Sequence, residues 1–220
     1  MHNKLKKQWI MLSRFVYNVC KNRDKSHGYY HMRTVAEKSL EIYNEIYDIH
    51  NLILAEYIMT VAWLHDVADH KYEIDNMYLA KVNRFLLEIY DQKTTIFLIN
   101  IIDRISYSKE YSKVENNLEL DWKNILNEDG LFIRNIVSDA DKLEALGKNG
   151  LDRCILYGQI KYKKNHGIDI SKNELKEEVK CQSIRVLKIK DHYLRTEYGK
   201  QLAELLHDDY IKYLHIFLNS

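Results

Sequence analysis

The chain contains no proline and only seven glycines in 220 residues, and this scarcity of backbone breakers narrows its choice of fold more than any other feature. Sheets and loop-rich domains need turn residues at short intervals, and here those residues are missing. Long helices are the expected consequence. Residues 3 to 22 carry Trp9, Leu12, Phe15, Val16 and Val19 at steps of three and four, the period of one helical face. The same period predicts helices near 29 to 48, 52 to 68, 75 to 91, 94 to 106, 118 to 128, 130 to 146, 149 to 165, 173 to 190 and 196 to 218. Gly28, Gly130, Gly147, Gly150 and Gly167 fall where these segments meet, as helix-ending glycines do. The stretch DRISYSKEYSKVENN, 103 to 117, has few apolar anchors and is predicted to be a mobile surface loop bordering a cleft.

With 46% apolar residues the chain can bury a substantial core, and no composition break or internal repeat divides it, so residues 1–220 are read as one all-α domain. Lysine and arginine number 33 against 32 acidic residues, so no global field favours nucleic acid or an anionic membrane. An anionic ligand has to be caught locally. Three widely spaced cysteines, Cys20, Cys154 and Cys181, form no CxxC pair and predict a reducing compartment. The basic, mixed N-terminus lacks an apolar signal core, and no apolar run reaches membrane-spanning length, so a soluble cytoplasmic or otherwise intracellular protein is expected. Seventeen tyrosines lie mostly at helical spacing and are expected to pack with their polar tips at the surface rather than stack on nucleic acid.

Three polar interruptions stand out against this pattern: SHGYYH at 26 to 31, HD at 65 to 66 inside TVAWLHDVADH, and VSDADKLEA at 137 to 145. His27 and His31 are four apart and share a helical face if both lie on one helix. His65 and Asp66 diverge by about 100° and reach one ion only at a helix edge. Asp139 and Asp141 point in nearly opposite directions along one predicted helix, so one of them at most serves an inward site, and periodicity does not select which. A carboxylate turned toward a core requires a partner or a cation.

In this order, H, then HD, then D, the chain resembles the HD-domain superfamily of metal-dependent phosphohydrolases. Five blocks carry the likeness: SHGYYHMRTV, AWLHDVADHKY, INIIDRISYS, SDADKLEALGKNGLDRC and KIKDHYLRTEYGKQLAE. They are similar to a bacterial branch of uncharacterised or nucleotide-pyrophosphatase-like HD hydrolases. The resemblance implies a helical bundle of the HD type and makes His31, His65, Asp66 and Asp141 the metal ligands, choosing His31 over His27 and Asp141 over Asp139. It places Asp69 beside the attacking water as the catalytic proton handler, with His27 and Lys71 in the substrate cleft. Lys142 joins Lys71 as a candidate partner of the phosphate oxygens. Two positions depart from the family pattern near the blocks: HMRTV has Arg33 one step early and Thr34 where arginine is common, and QLAELLHDDY has Leu206 where a basic residue is expected.

A mixed set of imidazoles and carboxylates suits one divalent transition metal, with Mn²⁺, Fe²⁺, Co²⁺ or Ni²⁺ favoured over Zn²⁺ or Mg²⁺. The implied reaction is hydrolysis of a phosphoester or phosphoanhydride, with a nucleotide or another phosphorylated small molecule as substrate, by attack of a metal-activated water. The alternative is a non-catalytic protein that keeps the fold to bind a metal and a nucleotide. No GxxxxGK[ST] or GxGxxG motif is present, which argues against ATP-driven or dinucleotide redox chemistry. No membrane partner is expected, and a homodimer is compatible with the sequence.

Overall fold

The computed structural model describes residues 3–24, 28–46, 51–68 and 76–220, and every regular element among them is helical. The chain packs as two compact units, Met1–Ala140 and Asp141–Ser220. No helix among the described residues is long and apolar enough to cross a membrane.

The first unit holds α1 (Asn3–Cys20), α2 (Tyr29–Ile46), α3 (Leu52–Leu64), α4 (Met77–Leu87), α5 (Gln92–Ile102), α6 (Tyr107–Glu115), the short α7 (Trp122–Ile125) and most of α8 (Glu128–Leu143). Its centre is α3, in which every residue from Ile58 to Leu64 is buried. A helix buried this deeply must be largely apolar, and LILAEYIMTVAWL is, with its buried Glu56 paired to Lys4 and its Thr60 hydroxyl bonded to the Glu56 carbonyl. Asn51 starts it by accepting from the Ile53 and Leu54 N–H groups at 3.0 and 3.3 Å. The α1 and α2 helices pack against α3 through one apolar face each, with Leu12, Val16, Met32, Val35 and Ile42 wholly buried. The Trp9 ring meets Trp63 edge-on at 5.0 Å, and Phe15 stacks on Phe85 at 4.0 Å, tying α1 to α3 and α4.

The segment expected to be a mobile loop is instead largely helical. Ser106 accepts from the Lys109 N–H at 3.4 Å at the start of α6, and Tyr107 and Glu110 are buried. Glu110 is paired with Arg134 of α8 at 2.8 Å, with neither side chain exposed. The Arg134 guanidinium also lies 3.8 Å from the centre of the Trp122 ring and donates to the Arg104 carbonyl at 3.0 Å. This polar anchor replaces the apolar contacts that the sequence pattern lacks. The predicted helix at 118 to 128 reduces to α7, because residues 118–120 are non-helical.

In the second unit α9 (Gly147–His166), α10 (Lys172–Leu187) and α11 (Glu197–Asn219) pack on one another, with a π-helical turn at Ile189–Tyr193. Gly167 ends α9 at φ 73°, a left-handed conformation that favours glycine. Gly130 and Gly150, by contrast, lie inside α8 and α9 rather than between helices. A Cβ at Gly150 would stand 2.2 Å from the Ala145 carbonyl oxygen, so close approach explains that glycine. Leu206, at the position where the family pattern has a basic residue, packs over Gly147: a Cβ on that glycine would meet Leu206 Cδ2 at 3.1 Å.

Candidate metal centre

His65 follows the last residue of α3 in helical conformation and begins a turn through Ala68. Its Nδ1 lies 2.7 Å from the Ala62 carbonyl oxygen. A carbonyl only accepts, so Nδ1 carries the proton and Nε2 presents its lone pair. The helix thus fixes the tautomer as well as the ring orientation. Arg23, just beyond α1, donates to the carbonyl oxygens of Asp66 and Val67. A guanidinium on the open carbonyls at a helix C-terminus is favourable both as a hydrogen-bond donor and as a charge. It holds the His65–Asp66 turn in place. No sequence pattern pointed to Arg23, because it acts on backbone carbonyls more than 40 positions away.

His31 sits in the first turn of α2 with a side chain only 1% exposed. Its Nε2 lies 3.3 Å from His65 Nε2, 34 residues away in the chain. Asp66 lies beside both histidines, with Oδ2 3.5 Å from His31 Nε2 and Oδ1 3.8 Å from His65 Nε2. The last turn of α8, a continuous helix begun in the first unit, supplies Asp141. His31, His65 and Asp141 each offer a ligand atom within 4.8 Å of the others. Asp139 of the same helix is fully buried.

This donor set fits a divalent metal ion. Two imidazole nitrogens bound side by side at about 2.1 Å from one ion lie roughly 3 Å apart, close to the observed 3.3 Å. Carboxylates beside them supply the negative charge that a dication needs. The outer nitrogen of His65 already makes the backbone hydrogen bond that metal-ligating histidines use to set their tautomer.

A cavity of about 490 Å³ opens beside His65 and Asp66, within the range of small-molecule sites. One wall is apolar, formed by Leu79 and Val82 of α4 with Ile99 and Ile102 of α5. The lining also has polar residues, among them Asp103, Ser106 and Lys109. Lys142 does not line this cavity among the described residues; it is 1% exposed and donates to the Tyr193 carbonyl at 2.9 Å. His27, Asp69 and Lys71 lie outside the described residues. Of the departures from the family pattern, Arg33 pairs outward with Glu37 at 2.9 Å and Thr34 bonds the Tyr30 carbonyl of its own helix.

The fold is shared with several solved structures. YpgQ from Bacillus subtilis, solved in complex with ADP, is 20% identical, with 97% of this chain and 94% of that chain covered and a TM-score of 0.65. An HD-superfamily hydrolase from Bacillus thuringiensis is 22% identical over 97% of this chain and 96% of that one, at a TM-score of 0.61. The Lin1889 protein from Listeria innocua is 17% identical over 96% and 93%, at a TM-score of 0.62. No protein-family model matches the chain, and no curated protein matches it in sequence. The chain therefore has the HD-domain fold, established by shape at identities that carry no more than the fold.

Proposed function

We propose that this chain, which has the fold of the HD-superfamily hydrolases, is a metal-dependent phosphohydrolase whose substrate is a nucleotide. The observation that carries the reading is the convergence of His31, His65 and Asp141, with Asp66 alongside, where His65 and Asp66 also line a cavity large enough for a small ligand. The ADP in the YpgQ structure supports a nucleotide as the ligand class. His31, His65, Asp66 and Asp141 would hold the ion, and His65 is oriented for this by the Ala62 carbonyl. A bound divalent ion supplies Lewis acidity toward a phosphoryl oxygen and a water of lowered pKa. Arg23 keeps the two liganding side chains of the turn at a fixed spacing by gripping its backbone. The apolar wall of α4 and α5 receives the part of the substrate that carries no charge.

Asp69, three residues beyond Asp66 in the sequence, is the proposed acceptor of the proton from the attacking water, and His27 and Lys71 remain proposed substrate contacts, all on the family resemblance; the buried Lys142, bonded to the Tyr193 carbonyl, is not among them. The ligand set favours Mn²⁺, Fe²⁺, Co²⁺ or Ni²⁺. The test is to reconstitute the purified protein with Mn²⁺, Co²⁺ or Ni²⁺ and screen nucleotides while reading orthophosphate and pyrophosphate separately. Metal-dependent release of either product is the expected result, and their ratio assigns the reaction. Nucleotide binding without turnover under every metal would overturn the enzymatic reading in favour of a non-catalytic binding protein.

A further inference from the structure

Among the described residues that line the cavity beside His65 and Asp66, Lys109 is the only lysine or arginine. Its ammonium rests on Asp103 Oδ1 at 2.8 Å, and both partners are more than half exposed, 54% and 61%. An ion pair this exposed is weak and exchangeable. Asp103 does not depend on Lys109, because its Oδ2 lies 3.7 Å from the guanidinium of Arg104. Arg104 is itself held by the Asn100 carbonyl at 2.8 Å. Lys109 can therefore leave Asp103 without stranding a carboxylate.

The lysine has a firm base. Glu110, the next residue, is locked to Arg134 by the fully buried pair, so the backbone that carries Lys109 is anchored, while its ammonium bonds Asp103 at the surface, through the carboxylate at 2.8 Å and the backbone carbonyl at 3.5 Å. An anchored backbone with a half-exposed cationic tip, lining a cavity that His65 and Asp66 also line, suits the capture of an anion.

We infer that Lys109 is a phosphate-binding residue of this site and that Asp103 is its resting counter-ion, exchanged for a phosphate oxygen of the substrate when the ligand enters. The inference takes its ligand class from the phosphohydrolase reading but concerns binding, so the two can fail separately. Two substitutions at neighbouring positions then act in opposite directions. Lys109→Gln removes a charge-assisted hydrogen bond and should weaken ligand binding by about tenfold or more. Asp103→Asn removes the competitor and should tighten it by about two- to fivefold. A residue that merely supported the fold would not give effects of opposite sign at two exposed positions.

The experiment is calorimetric titration of ADP into the Mn²⁺-treated wild type and the Lys109→Gln, Lys109→Arg and Asp103→Asn variants, with nucleotide hydrolysis by the wild type measured separately. Weakening by Lys109→Gln, substantial rescue by Lys109→Arg and tightening by Asp103→Asn is the expected pattern. ADP affinity that Lys109→Gln leaves within about twofold of wild type, or Asp103→Asn binding that is weaker rather than tighter, overturns the inference. A wild type that does not bind ADP at millimolar concentration overturns it as well. The expected binding pattern in a protein that hydrolyses no nucleotide leaves the Lys109 assignment standing and removes the enzymatic reading instead.

Discussion

Glu110 and Arg134 are 24 residues apart in sequence and meet at 2.8 Å with neither side chain reaching solvent. The pair fastens α6 to α8 and so fixes one wall of the cavity. Removing one member of such a pair leaves a buried charge without its partner, which typically costs about 3 to 5 kcal/mol. Glu110→Ala is expected to destabilise the protein on that scale. The double variant Glu110→Leu with Arg134→Met should lose less than the sum of the single losses, because no lone charge then stays buried. Urea unfolding of the wild type, Glu110→Leu, Arg134→Met and the double variant checks the coupling, and strict additivity would show that the pair does not act as a unit.

Asp66→Ala and Asp69→Asn should separate metal binding from proton handling. The first removes a proposed ligand, so metal affinity and turnover should fall together. The second should leave metal content and thermal stability close to wild type while lowering kcat by about 10² or more. Metal analysis with steady-state kinetics decides it: near wild-type turnover of Asp69→Asn at full metal loading would mean that another group accepts the proton.

Two capping carboxylates give a pH dependence. The Thr94 N–H, 2.7 Å from Asp91 at the start of α5, holds the Asp91 carboxyl below the usual aspartate range. The Ser171 hydroxyl, followed by the Ser171 N–H, does the same for Glu174 in the capping box of α10. A depressed folded-state pKa contributes stability that is present above the unfolded value and is lost as pH falls through the folded one. The melting temperature should therefore drop on acidification, and the drop should be smaller in Asp91→Asn, which keeps an acceptor at the cap without titrating. An identical acid profile for this variant and the wild type would remove Asp91 from the account.

The thiols should differ in reactivity. Burial pushes the Cys154 thiol up to about 11, and its sulfur donates to the Gln182 side-chain oxygen at 3.3 Å. Burial also raises Cys20, whereas Cys181 is exposed. Iodoacetamide at about pH 7.5 should label Cys181 first in the folded protein. Peptide mapping that finds Cys154 or Cys20 modified as fast as Cys181 would contradict this packing.

The helical architecture is legible in the sequence because it rests on local causes, namely missing breakers and an apolar period. The helix α6 is not, since its burial depends on Glu110 meeting Arg134, and a lone glutamate in a polar stretch carries no mark of a distant partner. The candidate site divides in the same way. Periodicity left Asp139 and Asp141 undecided, and burial alone would favour Asp139, which is fully buried, although the cluster with His31 and His65 contains Asp141. The ordered likeness to HD hydrolases pointed to Asp141, drawing on information that a single helix does not hold. Arg23 and Lys109 carry no mark in the sequence, because each acts through an interaction that only the folded chain creates.

The most direct measurement of the metal-centre account is calorimetric titration of Mn²⁺ into metal-free wild-type protein and into His65→Ala. The account predicts one ion per chain in the wild type. In His65→Ala it predicts that affinity falls by more than about 100-fold while the helical circular dichroism is retained, since even outer partners of metal ligands contribute 10- to 100-fold. No binding by the wild type, or binding by His65→Ala as tight as that of the wild type, would contradict it.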